Sequence, residues 1–222
     1  MFQKILVAED VDSTNMAVVQ ALQQLNIAEV HHTQYCDDAL LKIRKTNALG
    51  SPYELLVTDL SFKEVRSSDR LTTGEELIMA VRKDFPSIKI IVYSIEDKSY
   101  RIRSLFQQFG IHGYIIKGRK SIPELQKAVP AVYAGQDRIG SVEVMEALKD
   151  KSLLDIEKYD IDLLKLLAKG NTQEGIGNIF RQEGISPSSS SSIEKHISRL
   201  KEYFGANNNV HLVAIAKDLG LV

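Results

Sequence analysis

Leu55-Leu-Val-Thr-Asp59 is a short apolar run closed by a single carboxylate. Leu55, Leu56 and Val57 read as a strand buried on both faces, the pattern of a parallel sheet covered on either side by helices. In such sheets the carboxyl ends of the strands are where ligands bind. Three more apolar runs end in polar chemistry. Ile5-Leu-Val-Ala is followed by Glu9-Asp10, Ile90-Ile-Val-Tyr by Ser94, and Tyr114-Ile-Ile by Lys117. A sheet built from these runs brings three carboxylates, a hydroxyl and an ammonium to one edge.

The stretches between them fit that sheet. Strands are expected at 4–8, 29–33, 53–59, 88–94 and 113–116, and helices at 12–25, 37–46, 74–85, 98–109 and 122–134. Val18, Val19, Leu22 and Leu25 lie on one helical face, and Leu77, Ile78, Val81 and Phe85 on another, which Pro86 ends. Strands alternating with helices predict a five-stranded parallel sheet with right-handed crossovers. Gly135 to Gly140 is a polar break, and 142–148 a short linker helix. From Asp155 onward the pattern is helical only. The expected division is a domain at 1–134, a linker at 135–154 and an all-α domain at 155–222.

Composition excludes several classes. A net charge of −1 over 222 residues gives no overall pull toward nucleic acid or membrane. The single cysteine, Cys36, rules out an internal disulfide and fits a reducing cytosol. No apolar run approaches the roughly 18 residues of a spanning helix, so the expected location is cytoplasmic. The five histidines are not spaced as metal ligands.

Glu9, Asp10 and Asp59 repel one another unless a cation neutralises them. Oxygen-only donors select a hard ion, and Mg²⁺ accepts a few carboxylates plus water. Lys117 supplies a point charge for a phosphoryl oxygen and Ser94 a hydrogen bond. An aspartate so placed can carry a phosphoryl group as a covalent intermediate. A dehalogenase-type hydrolase also uses aspartyl phosphate, but it needs a second aspartate where this chain has Ser61.

The set Glu9-Asp10, Asp59, Ser94 and Lys117 resembles the receiver domain of bacterial two-component response regulators. The resemblance covers 1–134 and implies a flavodoxin-like fold, Mg²⁺ at Glu9, Asp10 and Asp59, and phosphorylation of Asp59 by a sensor histidine kinase or phosphotransfer protein. It also makes Ser94, Tyr114 and Lys117 the phosphoryl-binding and switch residues, Tyr114 standing where the family often has an aromatic. One departure is plain. The segment Ser61 to Thr73 is longer than in the family and lacks its proline. It sets Lys63, Arg66 and Arg70 against Glu64 and Asp69 beside the site.

Residues 155–222 resemble the LuxR/NarL-type helix-turn-helix output domain through Leu163, Leu166, Leu167, Ala168, Gly170, Ile176, Ile193, His196, Ile197, Leu200, Gly205 and Leu212-Val-Ala-Ile-Ala216. In that family the helix carrying the Ile193 to Leu200 pattern enters the major groove of double-stranded DNA. Ser186-Pro187 is expected to start it. Ser190, Ser191 and Ser192 would offer hydroxyls, and Lys195, Arg199 and Lys201 would reach phosphates. The turn around Arg181 to Ser189 is longer than the family pattern. The domain's nine acidic and eight basic residues fall short of the usual basic footprint. The expected function is a phosphorylation-dependent transcriptional regulator rather than an enzyme, dimeric on activation. The alternative is a signalling module whose helices bind protein.

Overall fold

The computed structural model describes residues 1–63, 66–149 and 156–222. Glu64, expected in the long segment after Asp59, lies outside them, as do 150–155, where the linker was expected to end and the helical domain to begin. Two compact units divide the chain, one holding the sheet and the other the last four helices.

In the first unit β1 (Lys4–Ala8), α1 (Asp12–Gln23), β2 (Glu29–Thr33), α2 (Cys36–Ala48), β3 (Leu55–Thr58), α3 (Gly74–Asp84), β4 (Lys89–Ser94), α4 (Ser99–Gln108), β5 (Gly113–Ile116) and α5 (Ser121–Tyr133) follow one another. Every strand pairs in parallel, in the order β2-β1-β3-β4-β5 and then a sixth strand, β6 (Ile139–Gly140). The period-two alternation sorts side chains cleanly. Leu6, Ala8, Leu56, Ile90, Val92 and Tyr114 face one layer, which α2, α3 and α4 cover with Ile43, Val81 and Leu105 among others. Ile5, Val7, Leu55, Val57, Ile91, Tyr93 and Ile115 face the other, against Val18 and Leu22 of α1 and Leu125 and Val129 of α5.

The five-strand expectation is corrected to six, and the linker expectation with it. Ile139 and Gly140 extend the sheet beside β5, and α6 (Val142–Lys149) folds back so that Val144 joins the buried core. A Cβ on Gly140 would lie 2.4 Å from a Val144 methyl, so the bare backbone is what lets helix and strand meet. Two residues of strand in a polar break carry no periodicity to read.

The second unit contains α7 (Lys158–Ala168), α8 (Gln173–Gln182), α9 (Ser190–Phe204) and α10 (Asn209–Asp218) around Leu163, Leu164, Ile176, Phe180, Ile193, Ile197, Leu200, Leu212 and Ala216. The helix expected to begin at Ser186-Pro187 begins at Ser190. Ser189 caps it, its side chain accepting from the Ser192 N–H at 3.2 Å. Pro187 remains in the turn, where its carbonyl accepts from the Tyr159 hydroxyl at 2.7 Å.

Candidate functional site

The strand order reverses between β1 and β3, and the residues that follow these two strands meet there. Glu9 and Asp59 are 2% and 5% exposed, and Asp10 is half-buried. Their carboxylate oxygens lie within 4.8 Å of one another. Lys117, following β5, reaches across to both buried acids, 2.5 Å from Asp59 Oδ2 and 2.7 Å from Glu9 Oε2. Asp59 Oδ1 accepts the Leu60 N–H at 2.6 Å, and Glu9 Oε1 accepts that of Val11 at 3.2 Å.

One ammonium among three carboxylates leaves the site negative, and the titration behaviour reflects it. Burial pushes the Glu9 carboxyl above its ordinary value, opposed by Lys117 and reinforced by the Asp59 charge. Burial alone would lower the Lys117 ammonium, but its hydrogen bonds and ion pairs with Asp59 and Glu9 outweigh it and hold it above an ordinary lysine. A donor set of oxygens alone, with charge to spare, suits a hard cation.

Ser94 and Tyr114 border the cluster and converge on one residue. Ser94 is fully buried, and its hydroxyl lies 3.5 Å from the Glu96 N–H. Tyr114, also fully buried, donates its hydroxyl to the Glu96 carbonyl at 2.7 Å. The backbone of Glu96 is thus held from both sides.

Sequence reasoning passed over two supports of this edge. Gly74 opens α3 against the backbone of Asp59, so close that any Cβ there would collide with the Asp59 carbonyl. The signal was present. Thr73 and Glu76 form a capping box, the Thr-x-x-Glu spacing that marks a helix start. The second support is the segment after Asp59. It leaves and returns through a Ser61–Thr73 bridge, and the Lys63 N–H donates to Asp10 Oδ2 at 2.6 Å. No sequence pattern announces a backbone contact between residues so far apart.

In the second unit α9 turns Ser191, Lys195, Ser198 and Glu202 away from its buried Ile193, Ile197 and Leu200. Ser190 is exposed at the first helical position, and Lys201 lies half-buried on a flank. Ser192 is tied into the cap, its hydroxyl 2.8 Å from that of Ser189. Arg199 is not a spare cation. It contacts Asp160 Oδ2 at 2.6 Å, and His196 Nδ1 lies 3.2 Å from Oδ1 of the same carboxylate, which is wholly buried. Asp160 was not singled out beforehand, because its partners stand a helix-turn-helix away along the chain.

No protein-family model and no curated protein matches the chain. Solved structures do. A structure of two RcsB dimers bound to two parallel DNAs is 20% identical, with a TM-score of 0.67, over 99% of this chain and 100% of that one. RcsB from Salmonella enterica serovar Typhimurium, bound to a promoter in the presence of phosphomimetic BeF3⁻, is 19% identical at TM-score 0.66, over 96% and 97%. The chain has the two-domain fold of a response regulator. A LuxR-family two-component response regulator from Aurantimonas sp. shares 18% identity at TM-score 0.57, over 69% of this chain and 99% of its own. At these identities the likeness concerns the fold, so chemistry must rest on the residues. Within the response-regulator fold, Asp59 and its neighbours occupy the sheet edge where strand order reverses. Among the described residues no helix is long and apolar enough to cross a membrane.

Proposed function

We propose that this chain is a response regulator. Asp59 accepts a phosphoryl group, and the helical unit then acts on double-stranded DNA as a transcriptional regulator. The observation that carries the reading is the convergence of Glu9, Asp10, Asp59 and Lys117 at one edge of the sheet. The neighbours add to it, since RcsB structures of the same fold are bound to DNA or carry a phosphomimetic.

Glu9, Asp10 and Asp59 would hold Mg²⁺, which supplies the positive charge that the three carboxylates lack. The donor is a phosphohistidine of a kinase or phosphotransfer protein. A carboxylate oxygen of Asp59 forms the new O–P bond as the donor's P–N bond breaks, and the imidazole leaves with the electron pair. Lys117 then exchanges part of its contact with Asp59 for a phosphoryl oxygen. Ser94 turns its hydroxyl to another oxygen and gives up Glu96. Tyr114, bonded to the same Glu96, repacks with it, and the surface beside β4 and β5 changes its preferred partner. Dimerisation joins two copies of α9, and the pair reads two half-sites. The exposed Ser190, Ser191 and Lys195 offer contacts to bases and phosphates, with Ser192, Lys201 and Arg199 at the flanks.

The test is mass spectrometry after incubation with acetyl phosphate and Mg²⁺. Wild type should gain about 80 Da, one phosphoryl group, and Asp59→Asn nothing. Equal labelling of both would remove Asp59 from its role. One observation favours a second reading, in which the helices bind protein. Arg199, one of few cations on α9, is engaged by Asp160. Fluorescence anisotropy with a selected DNA site at two salt concentrations separates the two, because phosphate contacts give a linear dependence on log salt.

A further inference from the structure

The segment between Ser61 and Thr73 is tied down at several points, and most of the ties run through one side chain. Arg66 stacks on the Tyr35 ring, 4.1 Å from its centroid. It grips Asp38 with two prongs, at 2.7 and 3.3 Å, where α2 begins. It also closes its own turn, Nε donating to Asp69 Oδ1 at 3.0 Å and the backbone N–H to Asp69 Oδ2 at 2.9 Å. The Asp69 side chain is 4% exposed. Three residues before Arg66, the Lys63 N–H holds Asp10.

Asp10 is the least buried of the three acids and has the two others beside it. Left alone, its carboxylate gains by swinging into water, away from Glu9 and Asp59. A backbone donor at 2.6 Å opposes that swing and leaves Oδ1 free to face the other carboxylates. Donors behind a metal-ligating group orient it, and their loss commonly costs about 10- to 100-fold in metal affinity.

We infer that Arg66 is a positioning residue for a divalent cation: by clasping the inserted segment to Tyr35, Asp38 and Asp69 it keeps the Lys63 N–H on Asp10, so that Asp10 is preset for the ion. This rests on the reading of Glu9, Asp10 and Asp59 as a cation site. The insertion therefore belongs to the site's own framework.

The sign of the effect makes the inference testable. Arg66 is a cation near an acidic site, and by simple electrostatics its removal should tighten Mg²⁺ binding. Positioning requires the opposite. Isothermal titration calorimetry of the full chain with Mg²⁺ alone should give an affinity about three- to tenfold weaker for Arg66→Ala, with the metal-free melting temperature little changed. Arg66→Lys keeps the charge but not the two-pronged grip, and should recover only part of the loss. Arg70 is the matched control. Its backbone N–H, not its side chain, contacts Asp37 at 2.6 Å, so Arg70→Ala removes the same charge from the same segment and should bind Mg²⁺ as wild type or slightly tighter. Unchanged or tighter binding by Arg66→Ala overturns the inference, as does an equal loss in Arg70→Ala. If wild type binds no Mg²⁺, the reading of the acidic trio fails first and Arg66 loses its role with it.

Discussion

Each unit of the molecule buries an aspartate against a cation, and the two are not alike. Asp59 ends a strand at the sheet edge, shares Lys117 with Glu9, and has Asp10 nearby with no cation of its own. Asp160 sits in the first turn of α7, wholly enclosed, its two oxygens divided between Arg199 and His196. Its carboxylate also accepts the Glu157 N–H at 3.1 Å, closing a capping box. The second arrangement is satisfied and the first is not. Burial and an ion pair therefore do not mark a reactive carboxylate. Uncompensated charge at an edge where backbone and solvent leave room for a ligand does.

The comparison breaks most sharply under exchange to asparagine. Asp59→Asn should lose all phosphoryl uptake while the protein remains folded, because one of three crowded charges is gone. Asp160→Asn should leave uptake intact and lower the melting temperature of the helical unit. Phosphoryl uptake that depends on Asp160, or survives without Asp59, would erase the distinction.

Removing the cation instead of the acid gives the next largest effect. Arg199→Ala strands a buried charge with His196 alone. Because the guanidinium is half-exposed, the expected cost is about 2 kcal/mol rather than the full penalty of a broken buried pair. Denaturant unfolding of wild type and variant measures it. A cost near zero would return Arg199 to the surface cations available for DNA.

A third ionisable group sharpens the contrast from the opposite edge of the sheet. His112, just before β5, has Nδ1 3.0 Å from Arg82 and Nε2 3.2 Å from Lys89. Burial first, and then these two cations, lower it from 6.5 to about 4. Below pH 6.5 the unfolded chain takes up a proton that the folded chain refuses. Stability should therefore fall as pH drops from 6.5 toward 4, by about 1 kcal/mol once solvent around the half-exposed ring is allowed for. Thermal melts across that range should show the decline, and His112→Gln should flatten it. A stability profile identical in both proteins would refute it.

The smallest effect belongs to Lys195, which is exposed and has none of Arg199's internal duties. Lys195→Ala should leave melting unchanged, weaken binding of a selected DNA site similarly across sequences, and lower the salt slope by about one. An unaltered slope would favour the protein-binding reading of α9.

The sequence by itself determined the alternation of strands and helices, the buried character of Leu55 to Val57, and which residues end the strands. Those properties are local. Period-two and period-3.6 patterns, apolar runs and turn residues act over a few positions, so Asp59, Lys117 and the apolar stripes of α8 and α9 could be named from them. What the tertiary structure decided was which charges remain free. Arg199 looked like a phosphate contact until α7 brought Asp160 beneath it. The long segment after Asp59 looked like a solvated insertion until Arg66 and Lys63 fastened it to α2 and Asp10. The sixth strand needed β5 as a template and Val144 as a cover. The partners of a charge, a backbone donor or an edge strand lie far away in sequence, and only the folded chain brings them within the few ångströms over which they act.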